Sequence, residues 1–503
     1  MAHMLKLGDS DDVAVALQSV PAAQFLEDLR VTTLSDVPAG HKVALRAIGV
    51  GKPVRKSSQI IGFATQAIVP GEHVHTHNLI TGDFERDYSI GAEAQPTRFL
   101  RPEEMASFLG FVRPDGRVGT RNYVGVLTTV NCSASVARRI TAHFTPEVMS
   151  AYPNVDGVVA ITHGTGCGMA EHGEPADLLR RVFAGYATHP NFAGVLLLGL
   201  GCETNQIDSL VALTGMTGAL RSATIQEEGG TTASVQKGIA TVYELLEQAN
   251  QASRTLVPAS ELVVGLQCGG SDAYSGISAN PALGAAVDML VRNGGTAILS
   301  ETPEIYGAEH LLTRRSSRPE VAEKLIERIH WWEEYTARHK GSIDNNPQPG
   351  NKTGGLTTIL EKSLGAVSKG GTTNLNEVYL YAEPVVAKGL VFMDSPGFDP
   401  VSATGQVAGG ANMLCFTTGR GSVFGCKPTP SLKLASNTAL YNRMQDDMDI
   451  NCGAIIEGDQ SVQEAGALIF EEILAVASGK PTRSEVHGFG EEEFQPWLQS
   501  ATL

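Results

Sequence analysis

Four cysteines each follow a short apolar run that is typical of a buried parallel strand. The runs are VGVLTTVNC, GVVAITHGTGC, GVLLLGLGC and LVVGLQCGG, which contain Cys132, Cys167, Cys202 and Cys268. Thiolates are nucleophiles and soft metal ligands, and open parallel sheets bind ligands at the carboxyl ends of their strands. The pattern therefore favours a shared reactive site that includes His163, just before Cys167. The alternative is that these cysteines are buried as small hydrophobic residues.

Polar turns after two apolar runs contribute further candidates. Ser271 and Asp272 lie in the turn CGGSDAYSG, whose backbone N–H groups suit an anion such as a carboxylate. This turn matches neither the Walker loop nor the GxGxxG dinucleotide fingerprint. Glu301, Glu304 and Glu309 follow the run GGTAILS. They suit metal binding or acid–base chemistry, or alternatively they stabilise the first turn of a helix.

Cationic and amide side chains lie in segments where an anionic substrate would meet them. Lys352 ends the stiff polar loop NNPQPGNK, and Arg420 lies in FTTGRG after another apolar run. Either cation suits a carboxylate, although Arg420 would equally serve as a surface helix cap. Arg113, Arg121 and Asn122 belong to RPDGRVGTRN, which is too rich in Gly and Arg for a core segment.

Histidines alternate in the segment EHVHTHN. Alternation on a strand places His73, His75 and His77 on one face, and His41 is a candidate fourth member. Neutral imidazole binds Fe, Zn, Cu and Ni. The cluster therefore favours a metal or substrate contact, with a solvated surface cluster as the alternative.

Length, composition and charge exclude several classes of function. The 503 residues allow two to four domains, and 42% hydrophobic with 18% charged residues is ordinary for a globular protein. A net charge of -16 argues against nucleic acid or an anionic membrane as a partner. The sequence contains no stretch of about 18 apolar residues that would span a membrane and no apparent secretory signal. Seven cysteines without framework spacing predict a reducing cytoplasmic location.

The elements that must position these residues divide the chain into regions. Short β-type runs separated by turns predict a small β domain over residues 1–80, and the polar segment 81–107 predicts a linker or arm. Alternating strands and helices predict a two-lobed α/β body with mainly parallel sheets, with lobes at 108–256 and 257–503. The sequence leaves open whether the two lobes share one sheet.

Eight segments resemble the altronate/galactarate dehydratase family over nearly the whole chain. They are GEHVHTHN, FVRPDGRVGTRNYVGVLTTVNC, THGTGCG, GLGCETNQ, LQCGGSDAYSGISANPALG, ETPEIYGAEHLL, NPQPGNKTGGLTTILEKSLG and FTTGRG. Of these, EHVHTHN and ETPEIYGAE resemble the altronate branch more than the galactarate branch. The N-terminal module resembles the family's SAF-type (β-clip) domain. Gly8 stands where the family usually has a histidine, which puts the role of this module, and the substrate, in question.

The resemblance implies that a 2,3-dihydroxy sugar acid loses water to give a 2-keto-3-deoxy acid, with iron(II) or manganese(II) as the metal. On that basis the predicted catalytic residues are His163, Lys352 and Glu304. The predicted substrate contacts are Arg113, Arg121, Asn122, Ser271, Asp272 and Arg420. The predicted metal ligands are Cys167, Cys202, Cys268, His75 and His77. Thiolates would hold a mononuclear iron or an iron–sulfur cluster with one open iron, whereas Glu301, Glu304 and His163 would suit manganese or iron equally.

Other functions remain open from the sequence. A galactarate dehydratase differs only in the hydroxyl stereochemistry of its substrate. A sulfo-lyase would expel sulfite, although such enzymes commonly divide the β module and the body between subunits. A sugar-acid sensor would not need so many thiols and glycines at strand ends. A metabolic enzyme of this size is expected to form a symmetric dimer or a larger homo-oligomer.

Overall fold

The computed structural model describes residues 4–214 and 219–499, and its N-terminal region is built from short strands. The strands are β1 (Met4–Leu5), β2 (Val13–Ala16), β3 (Phe25–Leu26), β4 (Val31–Thr32), β5 (Lys42–Ala44), β6 (Pro53–Lys56), β7 (Gln59–Ala64), β8 (His73–Val74) and β9 (Leu79–Ile80). They form antiparallel sheets in the orders β1-β2-β5-β8 and β6-β7-β9, with β3-β4 as a separate hairpin. Val13, Ile61 and Val74 lie in the core between them. The small N-terminal β domain is confirmed.

The segment after β9 lies along the second lobe of the body. It is irregular apart from one 3-10 turn at Pro102–Glu104. Backbone N–H groups of Gly91 and Glu93 donate to the carbonyls of Thr313 and Arg314, at 3.0 and 2.7 Å. The next strands are β10 (Ser107–Val112) and β11 (Val118–Gly119), which pair as an antiparallel hairpin.

The first lobe contains a sheet of four parallel strands. These are β12 (Tyr123–Thr128), β13 (Gly157–Ile161), β14 (Phe192–Gly199) and β15 (Leu220–Thr224), in the order β13-β12-β14-β15. Its helices are α1 (Ala134–Thr141), α2 (Pro146–Met149), α3 (Glu174–Ala187), α4 (Ile207–Thr214) and α5 (Thr231–Ala249). Strand β16 (Thr255–Pro258) then returns to pair with β10, so this small antiparallel sheet lies where the two lobes meet in sequence.

The second lobe contains a separate sheet of seven parallel strands. These are β17 (Val263–Cys268), β18 (Thr296–Leu299), β19 (Leu375–Tyr379), β20 (Gly389–Met393), β21 (Met413–Thr418), β22 (Ser431–Ala435) and β23 (Ile450–Asn451), in the order β19-β20-β18-β17-β21-β22-β23. Its helices are α6 (Ala279–Arg292), α7 (His310–Thr313), α8 (Pro319–Arg338), α9 (Pro349–Thr353), α10 (Ile359–Ser368), α11 (Asp399–Ala408), α12 (Thr438–Arg443), α13 (Ala454–Glu457), α14 (Val462–Ala477) and α15 (Arg483–Val486). The two lobes therefore do not share a sheet, and an α/β body with mainly parallel sheets is confirmed.

Both faces of the second sheet are covered, which explains its continuous apolar strands. Alternate residues such as Leu266 and Phe392 pack toward α6 and α14 on one face. Residues that point to the opposite face, such as Leu414 and Phe416 of β21, pack with α11 and with α3 of the first lobe. No helix in the described part of the chain is long and apolar enough to cross a membrane.

Candidate active site at the carboxyl edge of the second sheet

Cys268, Glu301 and Glu304 come together where the strand order of the second sheet reverses. The chain goes from β17 to β18 on one side and later places β21 on the other side of β17. Such a switch point opens a crevice at the carboxyl ends of the strands. Cys268 is the last residue of β17. The three side chains offer ligand atoms within 4.8 Å of one another, and all three residues are buried.

Glu301 adopts a strained conformation and its carboxylate is unsatisfied. It has φ 71° and ψ 66°, a left-handed conformation that costs a non-glycine residue free energy. Its backbone N–H donates to Ser395 Oγ at 3.0 Å. Neither carboxylate oxygen accepts a hydrogen bond from the described residues, and burial, reinforced by Glu304, raises the pKa of Glu301 well above its usual value. Backbone strain together with a buried carboxylate that accepts no hydrogen bond indicates a functional position.

Two lysines, one in the first turn of helix α10 and one at its C-terminal cap, supply positive charge. Lys362 and Lys369 are seven residues apart, about two helical turns, and therefore point to one side. Lys369 Nζ lies 2.9 Å from Cys268 Sγ and 3.5 Å from Glu301 Oε2. Lys362 Nζ lies 2.7 Å from Glu304 Oε1. Burial lowers the pKa of each lysine, but the neighbouring anions more than offset it and the pKa of both is raised.

Asp399 is an acid that titrates near neutral pH. It is the first residue of α11, and burial together with Glu304 raises the pKa of Asp399 to about 7. Gly269 makes this approach possible, because a Cβ atom at Gly269 would lie 2.3 Å from Asp399 Oδ2. The Cys268 thiol stays protonated at neutral pH, since burial raises the pKa of Cys268 to about 12 while Lys369 opposes the shift.

The charges of this cluster leave room for a cation. If all three carboxyl groups were ionised, Glu301, Glu304 and Asp399 would bring three negative charges against the two positive charges of the lysines, which would leave one negative charge unbalanced. A buried net charge is costly, and a proton or a metal cation would neutralise it. One sulfur and several carboxylate oxygens suit iron or another borderline transition metal, and the oxygens also suit manganese. The residues present therefore fit a divalent metal.

A cavity of about 260 Å³ opens between the N-terminal domain and the second lobe. Lys56 and Gln59 line it from the N-terminal domain, and Ser271 and Lys362 line it from the second lobe. Ser271 Oγ is buried and has no hydrogen-bond partner among the described residues. The cationic and polar walls of this cavity suit a small anionic molecule with hydroxyl groups.

Asp272 and Arg420 lie in the neighbouring turns. The Asp272 carboxylate accepts hydrogen bonds from Ser275 N at 2.8 Å and Ser436 Oγ at 2.9 Å, so it orders the turn after Cys268. Arg420 is exposed, and its backbone N–H donates to the Gly270 carbonyl at 2.9 Å. The structure thus brings Ser271, Asp272 and Arg420 close to Cys268 in the fold.

The predicted histidine cluster forms, and it lies against the Lys352 loop. His41 Nδ1 and His73 Nε2 are 3.0 Å apart, and the ring centroids of His41 and His75 are 4.5 Å apart. His75 Nε2 donates to the Lys352 carbonyl at 2.9 Å, and His75 Nδ1 accepts from Thr76 N at 2.7 Å. Both ring nitrogens of His75 are therefore occupied in this arrangement. Burial, with neighbouring cations, lowers the pKa of His73 to about 4 and of His75 to about 3.

Glu361 joins the N-terminal domain to the second lobe. Its buried carboxylate pairs with Lys42 Nζ at 2.9 Å and Lys56 Nζ at 2.8 Å. We expect Glu361→Gln to lower the free energy of unfolding by about 3–5 kcal/mol, because two buried ammonium groups lose their counter-ion. Glu377→Gln is the matched control, since Glu377 also pairs with two cations, Arg318 and Lys324, but at the surface. It should cost at most about 1 kcal/mol in denaturant unfolding; equal losses would contradict the role of Glu361.

His163 is a buried, neutral side chain of the first lobe. His163 Nε2 donates to the Thr128 carbonyl at 3.0 Å, and Nδ1 accepts from Thr165 N at 3.2 Å. Burial lowers the pKa of His163 to about 4. Both nitrogens are engaged, so the ring holds together the loops after β12 and β13.

The four strand-end cysteines do not share one site. Cys132, Cys167 and Cys202 are exposed after strands of the first sheet, whereas Cys268 is buried at the end of a strand of the second sheet. The sequence predicted a single site for the four thiols. The structure differs because the strands before these cysteines belong to two separate sheets.

Arg113, Arg121 and Asn122 lie elsewhere, since they precede β12 and therefore lie at the amino edge of its sheet. Arg121 pairs with Glu485 at 2.6 Å, which ties the first lobe to the second. Arg113 Nη1 donates to Asn122 Oδ1 at 2.8 Å. These contacts engage the polar groups of the three residues within the protein. The candidate site lies elsewhere, at the carboxyl edge of the second sheet.

Sequence reasoning missed Lys362, Lys369 and Asp399. One signal existed for the lysines, because LEKSLGAVSK places two cations seven residues apart in an otherwise apolar helix. Asp399 follows the apolar run GLVFM after the short segment DSPGF, as the other strand-end candidates follow theirs. Nothing in the local sequence pairs these residues with Cys268 or Glu304.

Comparisons with known proteins cover nearly the whole chain. Sequence models match for "Altronate/galactarate dehydratase SAF domain" at residues 2–82, "D-galactarate dehydratase/Altronate hydrolase, second domain" at 110–250 and "D-galactarate/Altronate dehydratase, C-terminal" at 259–502. Altronate dehydratase of Bacillus subtilis (strain 168) is 34% identical over 98% of both chains. Galactarate dehydratase (L-threo-forming) of Escherichia coli (strain K12) is 37% identical over 95% of this chain and 93% of its own. The (2R)-sulfolactate sulfo-lyase subunit beta of Chromohalobacter salexigens is 32% identical over 76% of this chain and 96% of its own.

Proposed function

The chain belongs to the altronate/galactarate dehydratase family, and from that premise we propose that it removes water from a 2,3-dihydroxy sugar acid of the altronate type to give a 2-keto-3-deoxy acid. The observation that supports this most is the buried cluster of Cys268, Glu301 and Glu304 at the switch point of the second sheet. Galactarate is the second candidate substrate, because a galactarate dehydratase is 37% identical.

The first chemical step needs a base, because the proton on C2 of a hydroxy acid is very weakly acidic. Asp399 is the base in our proposal, since a pKa of about 7 leaves its carboxylate partly ionised and basic at neutral pH. The C2 proton moves to Asp399 and its electron pair forms the C2–C3 double bond. The C3–O bond breaks, and the leaving hydroxyl takes the proton from the Asp399 carboxyl to become water, which returns Asp399 to its ionised form. The resulting enol ketonises when C3 is protonated.

The lysines stabilise the negative charge that develops on the substrate carboxylate. Lys362 lines the cavity and stays cationic because Glu304 lies 2.7 Å away. Preorganised charge in a buried site is worth far more than in water. Lys369 holds the Cys268 thiol and the Glu301 carboxylate in place. A divalent cation held by Cys268, Glu301 and Glu304 would supply Lewis-acid stabilisation of the enediolate, and iron(II) or manganese(II) both suit those donors.

Several predictions from the sequence remain untested. They include substrate contacts by Ser271 and Arg420, a catalytic role for Lys352, and metal binding by His75 and His77. The cytoplasmic location and the homodimer also remain predictions. Among the metals, we propose iron(II) first and manganese(II) second.

Turnover of a panel of sugar acids tests the function. The protein is incubated anaerobically with aldonic and aldaric acids, including altronate and galactarate, with iron(II) or manganese(II), and the 2-keto-3-deoxy acid is measured. We expect one acid to be strongly preferred. Sulfite release from (2R)-sulfolactate, with no keto acid from any sugar acid, would overturn the proposal in favour of a sulfo-lyase.

Asp399→Asn tests the base. In the wild type we expect kcat/KM to rise as the pH increases through about 7, because only the ionised carboxylate accepts the proton. The variant should lose this dependence and about 10²–10⁴-fold of the rate. Asp394→Asn is a control on another buried carboxylate, which accepts from Trp332 Nε1 at 2.8 Å, and it should keep the dependence. An unchanged pH profile in Asp399→Asn would assign the base elsewhere.

A further inference from the structure

The seven cysteines of the chain fall into two classes. Four are buried: Cys268, Cys415, Cys426 and Cys452. The other three, Cys132, Cys167 and Cys202, are all exposed. Free cysteine is among the most frequently buried residue types, so three exposed thiols need an explanation.

The three exposed cysteines follow three neighbouring strands of the first sheet. Cys132 comes after β12, Cys167 after β13 and Cys202 after β14, and β12 lies between the other two. Adjacent strands are about 4.8 Å apart, and parallel strands end at the same edge. The three thiols are therefore delivered to one edge within about two strand spacings.

Hydrogen bonds tie the three cysteine-bearing loops to one another. Asn131 N donates to the Thr165 carbonyl at 2.9 Å, which joins the first loop to the second, and Asn205 N donates to the Gly166 carbonyl at 3.1 Å, which joins the third loop to the second. Asn205 Nδ2 also donates to the Thr129 carbonyl at 3.1 Å. Gly166 is required at this contact, because a Cβ atom there would lie 2.3 Å from the Thr129 carbonyl oxygen. These hydrogen bonds hold the three cysteine-bearing loops against one another.

The three sulfurs do not form a ready site for a single metal ion. Bonds of about 2.3 Å from each sulfur to one tetrahedral ion require sulfurs about 3.8 Å apart. The three sulfurs do not all lie within 4.8 Å of one another, a limit that Cys268, Glu301 and Glu304 meet. A polynuclear cluster binds each thiolate on a different iron and so spans a wider gap.

Two potential ligands beside the thiols, His163 and Glu203, are already engaged in hydrogen bonds. Both ring nitrogens of His163 are occupied by Thr128 and Thr165. The buried Glu203 carboxylate accepts from Thr129 Oγ1 at 2.6 Å and from Gly201 N at 2.6 Å. In contrast, the backbone N–H groups of Cys167 and Cys202 donate to no acceptor within the described ranges. Free amides next to the thiols suit hydrogen bonds to cluster sulfur.

We propose that Cys132, Cys167 and Cys202 bind an iron–sulfur cluster of the [4Fe–4S] class through three thiolates, which leaves one iron open to an external ligand. This site is separate from the Cys268 cluster, because it lies on the other sheet and shares none of its residues. The thiolate ligands predicted from the sequence were Cys167, Cys202 and Cys268; the set proposed here contains Cys132 in place of Cys268.

Anaerobic reconstitution of the full chain with iron and sulfide tests the site. We expect about four sulfide per chain, and about four iron in addition to any divalent ion held by the Cys268 cluster, with the broad visible absorption of a thiolate-bound cluster and an electron paramagnetic resonance signal after reduction. Each single variant, Cys132→Ser, Cys167→Ser and Cys202→Ser, should lose most of the sulfide, and the triple variant should contain almost no sulfide and at most about one iron per chain. Circular dichroism confirms that each variant is folded.

Cys268→Ser is the matched control, because it removes a strand-end thiol from the other sheet. It should keep the full sulfide content and the four iron of the cluster, even though we expect it to lose dehydratase activity. Failure of the cluster and failure of the proposed function are thus distinguishable. A cluster that persists in the triple variant, or one zinc or iron without sulfide at these thiols, would overturn the proposal. A disulfide between any two of the three under anaerobic, reducing conditions would also overturn it.

Discussion

Glu304→Gln is expected to lower kcat by about 10²–10³-fold, the loss typical of removing one group that stabilises developing charge. The carboxylate has three roles that the amide cannot fill. It is one of three potential metal ligands, it holds Lys362 at 2.7 Å, and its negative charge contributes to the raised pKa of Asp399. The substitution conserves shape, so the fold should persist. Keto-acid formation at saturating substrate and metal measures the effect.

Glu309→Gln separates this effect from general loss of a buried carboxylate. Glu309 lies five residues further along, is buried, and pairs with Arg86 at 3.1 Å. Its amide variant should lose stability but keep kcat near the wild-type value, since it touches none of the clustered residues. If both variants lose kcat equally, the role of Glu304 is structural. Metal content adds a second measurement, because Glu304→Gln alone should bind the divalent ion more weakly.

Lys369→Met is expected to lower the free energy of unfolding by about 3–5 kcal/mol, the usual cost of removing one partner of a buried ion pair. Lys369 is fully buried and is the cation nearest both Cys268 and Glu301. Lys324→Met is the matched control: Lys324 also pairs with a glutamate, but at the surface, so its loss should cost at most about 1 kcal/mol. Denaturant unfolding measures both.

The pH dependence of this loss identifies its cause. The pKa of Glu301 is higher in the folded protein than in the unfolded chain. Between these two pKa values the folded protein binds more protons than the unfolded chain, so the free energy of unfolding falls as the pH rises. Without Lys369 the pKa of Glu301 rises further, and stability should fall over a wider pH range than in the wild type. Adding Glu301→Gln to Lys369→Met should remove the extra slope. A slope that survives in the double variant would exclude Glu301 as its source.

Local sequence patterns were sufficient to predict many of the strands, several candidate site residues and the family. Apolar runs that end in glycine and cysteine predicted the strands that carry Cys132, Cys167, Cys202 and Cys268, because strands buried on both faces must be continuously apolar. The histidines of EHVHTHN do cluster, but not by alternation along a strand as predicted, because β8 ends at Val74 and His75 and His77 lie in the turn that follows. Glu304 was a candidate for the same reason that made Cys268 one: each follows a predicted strand. The family was also recognisable from eight short segments, and the sequence comparisons confirmed it.

Only the tertiary structure decided which of these residues meet. The sequence allowed one sheet or two, and two sheets place Cys268 apart from Cys167 and Cys202. Lys369 and Asp399 reach Cys268 from positions about a hundred or more residues away in the chain, through the order in which strands insert into the sheet. Local pattern carries burial and periodicity, which depend on near neighbours. Strand order, and with it the charge around each carboxylate, depends on packing between distant segments.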